Sequence, residues 1–78
     1  MRQKKEQLII TFSTTTEAMR MEKFCLEQSL PGRIIPLPSE ISAGCGLAWK
    51  TDPEQETLFS DKLRQAGIEW DSMTVIKI

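Results

Sequence analysis

Residues 8–25, LIITFSTTTEAMRMEKFC, contain a strand pattern that passes directly into a helix pattern. Residues 8–12 form a short, β-branched apolar run, which predicts a central strand. Thr14 and Glu17 have the spacing of a capping box, in which each side chain satisfies a backbone N–H of the first helical turn. The residues that follow at helical spacing form one apolar stripe: Ala18, Met21, Phe24 and Cys25. This stretch therefore predicts a β-strand followed by an amphipathic helix.

Two further strands are predicted after this helix. Residues 30–32, Leu-Pro-Gly, should end the helix, because proline cannot continue it and glycine permits a sharp reversal. Residues 33–38 then form a strand, and Pro36 predicts that it lies at a sheet edge because proline cannot donate to a ladder. Residues 39–44 are predicted as a loop, and residues 47–49 as the third strand.

A second helix and a last strand complete the chain. Asp52 is the predicted cap of this helix, with Pro53 at its first position and Gln55 closing a second box. Gly67 should end it in a left-handed conformation. The buried face of the helix is predicted to consist of Phe59, Leu63 and Ala66. Residues 68–70 and 73–78 are predicted as strand, with a bend at 71–72.

The resulting order, βαββαβ, predicts an α+β fold of the ferredoxin-like type. In this sandwich two helices cover one face of a four-stranded antiparallel sheet with strand order 4-1-3-2. We expect a polar N-terminal tail over residues 1–7 and a single domain over residues 8–78. A rearranged strand order is the competing topology.

Composition excludes several classes of function. Ten basic and eleven acidic residues give a net charge of −1, which does not favour nucleic acid. The polar start and the absence of a long apolar run argue against a signal peptide or a membrane span, so we expect a cytoplasmic protein with reduced thiols. The chain has two cysteines and no histidine, so it cannot by itself complete a four-ligand zinc site. We expect neither a metal nor a cofactor.

Cys45, between two glycines at the end of the predicted loop, is the candidate reactive group. In the predicted topology it lies beside Ser13 and Thr14, at the start of the first helix. That helix end carries unpaired N–H groups and about half a positive charge, which would stabilise a thiolate, the nucleophilic form of cysteine. The candidate groups that stabilise the anion are Ser13, Thr14, Ser42, Gly44 and Gly46.

Both cysteines also have a purely structural interpretation. The Gly-Cys-Gly sequence equally describes a tight turn whose cysteine is a small buried apolar residue. Cys25 lies on the apolar stripe of the first helix, which favours core packing over chemistry. Its position near the helix centre also argues against a disulfide with Cys45.

A resemblance to a known family covers nearly the whole chain. It rests on Ser13-Thr14 with Glu17-Ala18 after the first strand, on residues 33–38 (RIIPLP), and above all on residues 40–48 (EISAGCGLA). On these motifs the chain resembles the small bacterial family named Putative Se/S carrier protein-like, which is associated with selenium-metabolism genes. The resemblance implies that Cys45 is the covalent acceptor of a sulfur or selenium atom.

Three functions remain open on this basis. The first is a carrier, rather than a turnover enzyme, that takes an atom from a cysteine or selenocysteine desulfurase and passes it to an acceptor enzyme. The second is a thiol redox or sensing protein that uses Cys45. The third is a non-covalent interaction or ligand-binding module, since ferredoxin-like domains host many functions.

One face of the predicted sheet is not covered by helices. A small domain often hides such a face against a second copy, because burial of apolar surface is worth about 25 cal/mol per Å². The alternation of the strands predicts that Ile9, Trp49 and Ile76 lie on this face. A homodimer is one way of covering them.

Overall fold

The computed structural model describes residues 5–39, 41 and 45–77. The strands and helices follow the predicted order βαββαβ, with a 3₁₀ turn before the second helix. They are β1 (Glu6–Thr11), α1 (Thr15–Gln28), β2 (Arg33–Pro36), β3 (Leu47–Thr51), the 3₁₀ turn (Pro53–Gln55), α2 (Glu56–Ala66) and β4 (Ser72–Lys77). No helix within the described residues is long and apolar enough to cross a membrane.

The four strands form one antiparallel sheet in the order β2-β3-β1-β4. This is the ferredoxin-like order read from its other edge, so the predicted fold is confirmed. Strand β2 lies at the edge of the sheet, as Pro36 predicts, and pairs only with β3. The central strand β1 has neighbours on both sides, which explains its continuous apolar run.

The hydrophobic core lies between the two helices and one face of the sheet. Leu8 and Ile10 of β1 belong to the same buried cluster as side chains from both helices, so α1 and α2 cover the same face. The helical members of this cluster are Ala18, Met21, Cys25, Phe59 and Leu63. Burial of each large apolar side chain contributes about 1.5–3 kcal/mol. A core this small makes every one of them important for stability.

The prediction that Trp49 lies on the uncovered face is wrong. Trp49 pairs directly opposite Ile10, so both side chains point toward the helices. Its indole Nε1 donates a hydrogen bond to the carbonyl oxygen of Pro31 at 3.2 Å. Because side chains alternate along a strand, an error of one residue in the alternation inferred for β3 assigns each of its side chains to the wrong face.

The opposite side of the sheet, here called the helix-free face, carries Gln7, Ile9, Ala48, Lys50 and Ile76. Ile9 and Ile76 therefore lie where the alternation predicts. Ile9 is nevertheless 0% exposed, and Ile76 is half-buried. The apolar surface that this face offers to another molecule is smaller than predicted.

Helix α1 begins as predicted but ends earlier. The Thr14 hydroxyl oxygen accepts a hydrogen bond from the Glu17 backbone N–H at 3.2 Å, which is one half of the capping box. At the other end Ser29 adopts the left-handed conformation (φ 55°), and Leu30 N–H donates to the Cys25 carbonyl at 2.9 Å. A Ser29 cap therefore ends the helix before Pro31 is reached.

The start of the second helix differs from its prediction. Pro53 occupies the first position as expected, but Asp52 makes no side-chain capping bond. Residues Pro53–Gln55 form the 3₁₀ turn, and α2 begins at Glu56. The C-terminal prediction is confirmed, since Gly67 is left-handed (φ 72°) and caps the helix.

The last strand is shorter than predicted. Residues 68–70 lie outside any strand, and Ile68 is buried in the core instead of extending the sheet. Asp71 N–H donates to the Thr11 carbonyl at 2.7 Å, and β4 begins at the next residue, Ser72.

Candidate functional site

Cys45 lies immediately beyond the end of β1 and beside the start of α1. Its backbone N–H donates to the carbonyl oxygen of Phe12 at 3.2 Å. Ser13 follows Phe12 directly, and Thr14 is the N-cap of α1. Contact between the β1 and β3 segments thus continues beyond their last regular pair, Thr11 and Ala48. It places Cys45 at the point where β1 passes into α1.

Further backbone hydrogen bonds of described residues lie on either side of Cys45. Leu37 N–H donates to the carbonyl oxygen of Gly46 at 2.9 Å, which extends the β2–β3 pairing beyond Pro36. Ile41 N–H donates to the carbonyl oxygen of Pro38 at 3.0 Å and closes a turn. Gly46, the residue after Cys45, is therefore held next to the end of β2.

Gly46 is required by the backbone conformation at this site. Its φ is 84°, in the region that residues with a Cβ rarely adopt. Among the residues that the structure describes, no heavy atom lies within 4 Å of the position that a Cβ would occupy. A side chain here would therefore be disfavoured by the backbone conformation and not by contact with any of these residues.

The Cys45 side chain is half-buried and packs against the edge of the core. Its Sγ lies 3.9 Å from the carbonyl oxygen of Leu47, within reach of a weak S–H hydrogen bond. The residue is thus packed against the core and keeps part of its surface exposed. Such partial exposure is what a reactive cysteine needs.

The other predicted site residues are distributed unevenly around Cys45. Ser13 and Thr14 are exposed at the α1 start, and the Thr14 hydroxyl is already engaged in capping. Gly46 flanks Cys45 directly. Ser42 and Gly44 lie outside the described residues, so their predicted roles have no structural account.

A carboxylate that the sequence analysis did not place at this site stands in the first turn of α1. Glu17 accepts a hydrogen bond from Glu69 N–H at 3.1 Å and pairs with Arg20 at 2.9 Å. An acidic side chain here partly compensates the positive end of the helix. The dipole available to an anion near Thr14 is therefore weaker than that of an uncompensated helix. Because Glu17 and Glu69 are distant in sequence, local spacing contained no signal of this contact.

Cys25 is in a different environment. It is 1% exposed on the buried side of α1, and its Sγ lies 3.8 Å from the Met21 sulfur. Burial raises the pKa of the Cys25 thiol to about 12. Both cysteines are free thiols. Burial thus distinguishes the fully buried Cys25 from the partly exposed Cys45.

Fold and site together define a small α+β protein with one accessible thiol at a strand–helix junction. Comparison with models of protein families matches residues 7–74 to the family described as Putative Se/S carrier protein-like. The match runs from β1 into β4, and the chain belongs to this family. Searches of curated proteins and of solved structures found no match.

Proposed function

We propose that this protein carries a sulfur or selenium atom on Cys45 as a persulfide or selenosulfide. The donor is an enzyme of the cysteine or selenocysteine desulfurase type, and the recipient is an acceptor enzyme. The family match supports the carrier class. The observation that carries the assignment to Cys45 is the contrast in exposure between its half-buried thiol and the fully buried Cys25.

Loading needs no oxidant or reductant. The Cys45 thiolate attacks the terminal sulfur of a cysteine persulfide on the donor. A bond forms between the Cys45 sulfur and that terminal sulfur, and the bond between the two donor sulfurs breaks. The electron pair of the broken bond leaves with the donor thiolate. The same exchange transfers a terminal selenium atom.

In unloading, an exchange of the same kind transfers the atom from Cys45 to the acceptor. A nucleophile of the acceptor attacks the terminal atom, and Cys45 leaves as a thiolate. Helix α1 starts next to Cys45, so its unpaired N–H groups favour the anionic leaving group, although Glu17 reduces this effect. No described residue lies within 4 Å of a Cβ position at Gly46, which favours the approach of an incoming group.

Burial of Cys25 also bears on the alternative role in redox sensing. An intramolecular disulfide would need the buried Cys25 to leave the core and reach Cys45. A redox function would therefore use a thiol of another molecule. Such a mixed disulfide differs in mass from a persulfide, so one experiment separates the two roles.

The test is intact mass spectrometry of the full chain after incubation with a desulfurase and either cysteine or selenocysteine. We expect a gain of one sulfur or one selenium atom that is removed by a thiol reductant. Cys25→Ala should retain the gain and Cys45→Ser should lose it. Absence of the gain in the native chain, or its persistence in Cys45→Ser, would refute the proposal.

A further inference from the structure

The two edge strands of the sheet, β2 and β4, differ in how they are protected against pairing with another chain. Strand β2 has four residues, with the exposed, charged Arg33 at its start and Pro36 at its end. Charged residues and proline are common features of edges that do not accept a further strand. Strand β4 has six residues, contains no proline, and pairs with β1 in a continuous register from Ser72 to Lys77. It is therefore the less protected edge.

Strand β4 is firmly attached to β1 at its first residue. The hydroxyl oxygens of Ser72 and Thr11 are 2.7 Å apart, and the Ser72 backbone N–H donates to Thr11 Oγ1 at 3.1 Å. In an antiparallel strand every second residue directs its N–H and C=O away from the neighbouring strand. Among the strands that the structure describes, β4 pairs only with β1. A partner strand would therefore meet an edge that is already extended and has backbone groups to offer.

The side chains of β4 continue the apolar core to this edge. Met73 lies opposite Ile10 and packs against the core. Val75 lies opposite the core residue Leu8, on the side of the sheet that the helices cover, yet it is 41% exposed. The apolar side of the sheet thus ends in an exposed valine, which a second strand beside β4 would bury.

Opposite charges stand at the two ends of this strand. Asp71 immediately precedes β4, Lys77 is its last residue, and both are exposed. Neither forms an ion pair with a described residue, although Lys77 lies opposite Glu6 in the β1–β4 register. Two antiparallel copies of this segment bring the acidic end of one beside the basic end of the other. The segment is therefore complementary in charge to itself.

One register of two antiparallel β4 strands matches both the charges and the apolar residues. Paired residues must lie on the same face of the sheet, so a two-fold axis has to pass through a residue position. With the axis at Thr74, Asp71 lies opposite Lys77 of the second copy, and Met73 lies opposite its Val75. An axis at Val75 would place Lys77 opposite Met73, and an axis at Met73 would place Asp71 opposite Val75. The register centred on Thr74 is therefore the complementary one.

We propose that this protein forms a two-fold symmetric dimer in which the β4 strands of two copies pair antiparallel. The two four-stranded sheets then form one sheet of eight strands. Cross-strand ion pairs and apolar pairs stabilise such a contact. Each outer edge of the combined sheet is β2, which Arg33 and Pro36 protect, so assembly stops at two copies. This surface is not the helix-free face, and the dimer does not depend on the chemistry proposed for Cys45.

The dimer keeps the two Cys45 sites apart. Asp71 N–H donates to the Thr11 carbonyl and Cys45 N–H donates to the adjacent Phe12 carbonyl, so Cys45 lies at the end of β1 where β4 begins. In an antiparallel pair the two β4 strands begin at opposite ends of the contact. The two Cys45 residues therefore lie toward opposite ends of the combined sheet, and the dimer should persist in a thiol reductant.

The test is sedimentation equilibrium of the full chain with a thiol reductant, in low-salt buffer where charge pairs are least screened. We expect a monomer–dimer equilibrium in the micromolar to millimolar range, without larger species. Asp71→Lys should raise the dissociation constant by about tenfold or more, because it places like charges opposite each other. Asp61→Lys, the same change at an exposed position of α2, should leave it unchanged. A monomer at every concentration, larger assemblies, or equal dimerisation of Asp71→Lys and the native chain would overturn the proposal.

A mixture of two variants separates loss of pairing from loss of folding. Lys77→Asp places two acidic side chains opposite each other in the dimer, so it should also be monomeric alone. Mixed with Asp71→Lys it should form a heterodimer, since each reversed charge then meets an opposite one. Native mass spectrometry resolves this heterodimer, and circular dichroism checks the fold of each variant, because Lys77→Asp also faces Glu6. Two folded variants that remain monomeric in the mixture would refute the register.

Discussion

The Cys45 backbone N–H and the Phe12 carbonyl oxygen, 33 positions apart in the sequence, are joined by a hydrogen bond of 3.2 Å. This bond connects β1 to the segment before β3, beyond the last regular pair of Thr11 and Ala48. As a result the accessible thiol is attached to the most deeply buried strand of the sheet. The site thus combines a rigid attachment with a half-exposed sulfur.

The two thiols should differ strongly in their reactivity. In the native protein at pH 8, iodoacetamide should alkylate Cys45 and spare Cys25, because Cys25 is 1% exposed and its thiol has a pKa raised to about 12. Peptide mapping after short exposure measures the two rates. In urea both cysteines should react alike, which controls for intrinsic differences. Faster labelling of Cys25 in the native state would contradict the assignment.

Burial of Cys25 also predicts a loss of stability in alkali. Its folded pKa of about 12 lies above the usual value of 9.0, so below pH 9 the thiol is protonated in both states and the stabilisation is complete. Between these two values the unfolded thiol ionises and the folded one does not. The free energy of unfolding should fall by up to about 1.4 kcal/mol per pH unit from this group.

Urea denaturation at pH 8 and pH 10.5 measures this loss. Cys25→Ala serves as the control for other groups that titrate in the same range, and it should show a shallower decline. The substitution should also cost about 1 kcal/mol at pH 8, because it leaves a small void beside Met21. Identical pH dependence in the two proteins would contradict the burial argument.

Gly46→Ala should destabilise the protein and change the reactivity of Cys45. The φ of 84° is unfavourable for alanine by about 1 kcal/mol, and relaxation of this strain would displace the neighbouring thiol. Gly67→Ala is a matched control, since Gly67 has a φ of 72° and, as at Gly46, no described residue lies within 4 Å of its Cβ position. It should cost similar stability in thermal denaturation. Only Gly46→Ala should alter the rate of Cys45 alkylation.

Arg33→Glu should raise the free energy of unfolding. The substitution places an acidic side chain directly opposite Lys50 and replaces a repulsive cross-strand pair with an attractive one. Such pairs contribute roughly 0.2–1 kcal/mol. Urea denaturation in salt-free buffer and in high salt measures the gain, which salt should reduce. A clear loss of stability would contradict a repulsion between Arg33 and Lys50.

Local patterns in the sequence were sufficient to predict the order of the strands and helices. The capping pair Thr14 and Glu17, the edge proline Pro36 and the left-handed Gly67 each act within a few residues, so their effects could be predicted from spacing. The helical period likewise predicted that Cys25 is buried. The position of Cys45 beside the α1 start followed from strand order.

Tertiary structure decided the features that depend on residues distant in the chain. The register between β1 and β3 places the Trp49 side chain on the side of the helices. Ile68 packs in the core and therefore lies outside the last strand. The Glu17 carboxylate accepts a hydrogen bond from the Glu69 N–H. Only the half of the capping box in which Thr14 accepts from the Glu17 N–H is formed. The β2–β3 register brought Arg33 and Lys50 together. Strand register is set by the combined packing of whole elements, and no short stretch of sequence contains that information.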